Sequence, residues 1–297
     1  MGVSWGLIWE LFHFAILGSA LAGIVCPVLG CLLLVRRTGF YGIALPQFAA
    51  AGVTFGWALP VWGIALGWSA IDLEATALEN PHAVKNYLLL LAGLFTFGGM
   101  YVLLLLGKQR ETETGRVAAA FAIANAATIL LASVTPHGAE VVNQLLRGEI
   151  LTADLHGFET IGIAYGAVLL ALVVYHREMV LVSFDRETAL VLGLPVKRIE
   201  GRLLLLTGIA VAVGVLIVGP IVLFGLLVIP PLAARHLARS MVGFFVLAAG
   251  FGLLASLGGV LISFYMDWPL GPALVAVAAL ELLPAMAIGK VKQHRAG

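Results

Sequence analysis

Charged residues are so sparse in this chain that they leave nine apolar stretches between them, at roughly 11–35, 42–69, 87–107, 117–134, 158–176, 203–219, 221–235, 242–265 and 270–289. About 18 apolar residues suffice to cross bilayer hydrocarbon as a helix, and all but the seventh stretch approach or exceed that length. Inside hydrocarbon no water pairs with the backbone, so a spanning segment must satisfy its own N–H and C=O groups, which a helix does. With 61% hydrophobic and 11% charged residues and a mean hydropathy of +1.06, the composition excludes a water-soluble domain built on one core. The expected fold is an all-α polytopic membrane protein of eight or nine transmembrane helices, with 221–235 too short to cross fully.

The remaining charges are sorted by side. Fifteen of the 17 Lys and Arg fall in alternate connections, at 36–37, 108–116, 177–202, 235–239 and 290–295, leaving only Lys85 and Arg147 for the other side. Bases collect in cytoplasmic loops, so the N-terminus is expected outside and the C-terminus inside. The outer connections hold Asp72, Glu74, Glu79, Glu140, Glu149, Asp154 and Asp267. Such a weakly acidic mouth attracts cations or a basic docking patch, although acids also accumulate wherever bases are excluded. Residues 141–153, VVNQLLRGEILTA, are too polar and short to span and read as an interfacial or re-entrant helix. No Lys or Arg precedes the first apolar stretch, which is therefore expected to stay as a permanent helix. Cys26 and Cys31 both lie in that stretch and read as membrane-buried thiols. A net charge of +1 excludes a strong field for nucleic acid.

Against this background the segment 182–202, VSFDRETALVLGLPVKRIEGR, concentrates seven ionisable side chains in 21 residues. Asp185 is a good N-cap, Glu187 stands in the electropositive first turn, and Gly193 followed by Pro195 is a stop. The helix so bounded, 186–192, would be about 10 Å long, far short of the ~30 Å hydrocarbon. It is expected to lie along the inner surface, where Ala189, Leu190 and Leu192 give it an apolar component that rests on the membrane or enters a groove of a partner.

The flanking motifs make this loop specific. It carries Asp-x-x-x-Ala-x-x-x-Gly at Asp185, Ala189 and Gly193. A Val-Gly-Pro turn follows at Val218, Gly219 and Pro220, with Pro230 beyond it, and then a series at Ser263, Asp267, Pro269, Gly271 and Pro272. In that order, and with a first span LFHFAILGSALAGIVCPVLGCLLLVRR ending at Arg36 and Arg37, the chain resembles the membrane subunit of ABC-3 family importers, the zinc, manganese and iron permeases, over about residues 11–288. The resemblance implies a single permease domain over 1–297 with the fold of a type II ABC importer, in the bacterial cytoplasmic membrane. It makes the 183–195 region the coupling helix, with Asp185, Glu187, Ala189, Gly193 and Pro195 as the residues that meet a separate ATPase subunit. It further implies a second copy of the chain and an extracytoplasmic solute-binding protein. No GxxxxGK[ST] is present, since Gly107 and Lys108 stand without the earlier glycine or the following hydroxyl. The chain is thus expected to bind no cofactor itself, ATP being used by the partner.

The same resemblance exposes a departure. Family members begin the second span with Gly-Asp-Ala-x-Ser-His, whose Asp and His are candidate ion contacts. Here YGIALPQFAAAG keeps Gly42, Ala44 and Gly52 but has Ile43 for the Asp, Pro46 for the Ser and Gln47 for the His. An anion and an imidazole are missing where a soft divalent metal would be held. Conduction needs only weak contacts, so the Gln47 carbonyl still serves as a path candidate, alongside Gly52, Asn125, Gly219, Pro220 and Glu281. Gln47 is equally readable as a packing hydrogen bonder, and Glu281 as a carboxylate that snorkels or pairs with a base. No confident metal ligands are found, because His82, His137 and His156 lack paired ligand spacing. A secondary transporter would want several buried ionisable groups, and an intramembrane enzyme a constellation such as HExxH, which is absent.

Overall fold

The computed structural model describes residues 5–36, 41–65, 79–105, 113–135 and 155–296, with single positions 73, 76, 138, 140, 141 and 143. Most of the 141–153 segment, most of the acidic outer connections, and Arg37, Lys108, Arg110 and Arg147 lie outside the described residues. Among the described residues the helices are α1 (Trp5–Val35), α2 (Tyr41–Ala65), α3 (Pro81–Leu105), α4 (Glu113–Val134), α5 (Leu155–Phe184), α6 (Arg186–Val191), α7 (Val196–Ile217), α8 (Pro220–Leu237), α9 (Met241–Met266) and α10 (Leu270–Ala296). All except α6 are long and apolar enough to cross a membrane, which makes nine among the described residues.

Two sequence expectations need correction. The seventh stretch lies in a longer helix: α8 has 18 residues, about 27 Å at 1.5 Å per residue, because the helix takes in Pro220 at its start and His236 and Leu237 at its end. The stretches 158–176 and 203–219 are bounded by charge at Arg177 and Arg202, yet α5 runs on to Phe184 and α7 already starts at Val196. Lys, Arg and Glu are good helix formers, so hydropathy marks the edge of the bilayer and not the end of the helix. These two extensions meet each other. Arg202 lies 3.6 Å from the Glu178 carboxylate and 4.6 Å from the centre of the Tyr175 ring.

The bundle is centred on α1, α2, α7 and α8. Helices α3 and α4 pack on α2, whereas α9 and α10 pack on α8 and on each other, and α1 lies against α9, α8 and α5. Helices without a polar side cannot use a hydrophobic drive inside lipid, so close backbone approach has to hold them together. At the crossing of α1 and α9, a Cβ on Gly23 would lie 2.5 Å from the Gly252 carbonyl oxygen. A buried polar contact ties α1, α5 and α7: the Tyr165 hydroxyl donates to the Ala210 carbonyl at 3.0 Å and accepts from the Cys26 thiol at 3.6 Å. Cys26 and Cys31 are both free and buried, as the composition implied. Helices α7 and α8 are joined by a short turn, Val218 to Pro220, which is buried. Gly219 there has φ +90°, a conformation other residues rarely adopt, and Pro220 starts α8 without needing an N–H.

Candidate functional site

The charged segment forms the short helix read from its sequence. Oδ1 of Asp185 accepts from the backbone N–H groups of Glu187 at 3.1 Å and Thr188 at 3.0 Å, while Oδ2 accepts from the Thr188 hydroxyl at 2.6 Å. Donation by Thr188, first through its hydroxyl, holds the Asp185 carboxyl below the usual carboxylate range. At the other end Gly193 adopts φ +74°. Its N–H reaches the Leu190 carbonyl at 3.0 Å and that of Leu194 reaches Ala189 at 3.1 Å, a Schellman closure. Pro195 then caps α7. The apolar residues of α6 divide by face. Ala189 is fully buried, whereas Leu190, Leu192 and above all Val191, 87% exposed, point away from the bundle. Glu187 is also exposed.

The surroundings of α6 include residues that sequence patterns did not flag. Glu200, in the second turn of α7, accepts on Oε1 from Arg36 at the end of α1 and from Arg186 in α6, each at 3.2 Å. Residues 36, 186 and 200 have no common periodicity, so only the folded chain joins them. Nearby, a cavity of about 630 Å³ is lined by Leu34, Val35, Phe184, Phe244, Arg235 and Arg239 among others. It opens beside Phe184, the last residue of α5, with two cations on an otherwise largely apolar wall.

The path candidates are not gathered in this way. Ile43 and Gln47, four residues apart and hence on one face of α2, are both half-buried. Gly52 is a packing position: a Cβ there would sit 2.5 Å from the Leu91 carbonyl oxygen of α3. Asn125 is exposed on α4, on the side that also carries Ala122, Ala126 and Ile129. Gly219 and Pro220 make the buried turn described above, and since Pro220 has no N–H, the Leu216 carbonyl lacks its usual helical donor. Glu281 is half-buried on α10 with Oε2 enclosed and, among the described residues, without a hydrogen-bond partner, so the basic partner considered for it is not found. Among the described residues, no three His, Cys, Asp or Glu side chains converge on a point.

Comparison with known proteins extends over nearly the whole chain. The sequence model of the ABC 3 transport family matches residues 9–289. The chelated iron transport system membrane protein YfeD of Yersinia pestis is 25% identical, over 98% of this chain and 92% of that protein. The manganese transport system membrane protein MntC of Halalkalibacterium halodurans is 23% identical, over 92% of this chain and 85% of its own length. Among solved structures, PsaBC from Streptococcus pneumoniae in complex with Fab superposes with a TM-score of 0.73 at 22% identity, covering 94% of this chain and 92% of that one.

Proposed function

Because the chain belongs to the ABC 3 transport family, we propose that it is the membrane permease subunit of an ATP-driven importer in which a separate ATPase subunit hydrolyses the ATP. The observation that carries this reading is α6, a six-residue helix closed at both ends by its own hydrogen bonds and exposing Leu190, Val191 and Leu192. An exposed apolar turn on a rigid, charged helix is what a groove in a partner protein can grip. In this reading Asp185, Glu187, Ala189, Gly193 and Pro195 form the ATPase handle on the cytoplasmic side, and the N-terminus lies outside. The whole chain works as one permease domain, two copies face each other across the path, and a solute-binding protein delivers cargo to the outer mouth. The chain binds no cofactor and carries out no chemistry.

The cargo is a divalent metal ion of the zinc, manganese and iron group, or a chelate of one. Relatives named for chelated iron and for manganese are about equally similar to this chain, so the family narrows the cargo to a class and not to one metal. Ile43 and Gln47 favour the chelate within that class, because a face without charge gives a bare divalent cation little in exchange for its hydration shell. Gln47, Asn125, Glu281 and the Gly219–Pro220 turn remain the proposed path contacts.

Co-expression with the ATPase tests the reading directly. A stable complex whose transport in proteoliposomes needs ATP is expected, whereas full ATP-independent transport by the chain alone would sink it. Accumulation of zinc, manganese and iron in cells with and without the chain tests the cargo. If all three are unchanged, supplied free or as chelates, the metal assignment falls while the ATP-dependent assembly stands.

A further inference from the structure

The caps of α6 close its own turn, and at its start the Asp185 N–H bonds to the Leu181 carbonyl of α5 at 2.9 Å, but none of these bonds reaches α1 or the body of α7. We infer that Glu200 is the positioning residue that ties α6 to α1 and α7 and passes its displacement into the bundle. The inference rests on α6 being the ATPase handle.

Three observations converge. A single carboxylate oxygen, Oε1, takes both Arg36 Nη2 and Arg186 Nε at 3.2 Å, so three elements remote in sequence meet at one atom. The pairs are partly shielded, with Glu200 21%, Arg36 15% and Arg186 47% exposed, and are therefore less screened than fully exposed ion pairs. Among the described residues, Arg186–Glu200 is the one ion pair that links α6 to another helix. The other anchors of α6 are the Asp185 N–H on the Leu181 carbonyl of α5 and the buried methyl of Ala189, and neither reaches α1 or α7 through a charge. Glu200 lies in the second turn of a rigid 22-residue helix that leads to the buried turn at Gly219. A shift of Arg186 is thereby transmitted along α7 towards that turn, while Arg36 anchors the same carboxylate to the end of α1. Neutralising Glu200 removes the negative charge on which both guanidinium groups converge.

The test uses the complete complex of chain and ATPase in lipid nanodiscs, with the solute-binding protein added. Glu200→Gln is expected to keep the yield of complex and its basal ATP hydrolysis, yet to lower stimulation by the binding protein about two- to thirtyfold, the range of a lost coupling contact. Glu200→Asp, which retains the charge, should recover a large part of that stimulation. In the chain alone, Glu200→Gln should speed amide exchange across residues 186–195 about three- to fivefold, with exchange in α9 unchanged. Unchanged stimulation with unchanged exchange would overturn the role of Glu200, and so would loss of stimulation strictly in proportion to loss of complex. Failure of the unaltered chain to bind the ATPase at all would instead remove the importer reading, and the role of Glu200 with it.

Discussion

The water-facing helix α6 and the half-buried face of α2 invert the usual order of a protein, in which polar contacts are made where water is scarce. Helix α6 is exposed, yet its first N–H groups are capped by Asp185, its last carbonyls are closed by Gly193 and Leu194, and its Arg186 is bound to Glu200. The α2 face lies inside a membrane-spanning helix, yet it offers Ile43 and an uncharged Gln47. A surface that must transmit force has to be stiff and uniquely placed. A surface along which cargo passes has to bind weakly, because a tight site would hold what it should release. On the proposed function, the specific bonding lies with the drive, and the α2 face proposed for the path is left without charge.

The largest effect is expected from removing the stiffness of α6. Gly193→Pro cannot reach φ +74° and deletes the N–H that bonds to Leu190, so the helix loses its closure and Leu194 its route into α7. ATP-dependent transport should fall more than about tenfold while the bundle keeps its thermal stability, and Gly193→Ala, at a cost of about 1–2 kcal/mol, should fall in between. Transport and thermal unfolding measured side by side decide it. If Gly193→Pro transports normally, the contrast between the two regions is wrong.

The second change works from the other side, by giving the α2 face the bonding it lacks. Ile43→Asp with Gln47→His places a carboxylate and an imidazole one helical turn apart, a spacing from which both can reach one metal ion. Zinc or manganese should then bind in proportion to the double variant, and transport of chelated cargo should drop about threefold to tenfold as the path becomes a trap. Equilibrium metal binding alongside uptake would show it. Unchanged metal binding would mean that the α2 face does not open to the path. Gln47→Ala asks less and should alter uptake about twofold to threefold, as expected for one neutral contact among several.

Much of the architecture was readable in advance because hydropathy and end-capping are local. Nine spans, the helix at 186–192 and its Asp185 and Gly193 ends need only neighbours within a few residues to be recognised. The extensions of α5 to Phe184 and of α7 back to Val196 were missed because charged residues leave the membrane without leaving the helix. Glu200 was missed for a different reason. Its partners Arg36 and Arg186 come from other elements, and nothing in the spacing of the sequence puts the three at one oxygen. The path candidates show the opposite limit. Gly52, one path candidate, also packs against the α3 backbone, and Asn125, another, lies on the exposed side of α4, away from α2, the helix on which α4 chiefly packs. Small and polar residues in a span mark places where something comes close, but the sequence alone does not say whether that is a neighbouring helix, a second copy or the cargo.

The smallest effect concerns the start of α6, and it depends on pH. The Asp185 carboxyl is held below the usual range by the hydrogen bonds it accepts from Thr188 and Glu187, so its ionised form is favoured in the folded helix. A group depressed in this way stabilises the fold at every pH above its unfolded value near 4, and loses that contribution as pH falls through its lower folded value. Helix α6 should therefore show the same exchange protection from neutral pH down to about 5, and then lose part of it in more acid solution. Asp185→Asn retains a capping oxygen for the backbone but carries no charge. Its protection at neutral pH should fall less than about twofold, and the acid-dependent loss should disappear. Hydrogen exchange of residues 186–190, corrected for intrinsic rates, separates the two outcomes. If the variant keeps the acid-dependent loss, the titrating group lies elsewhere in the charged segment, and the stiffness of α6 owes less to its cap than to the carboxylate of Glu200.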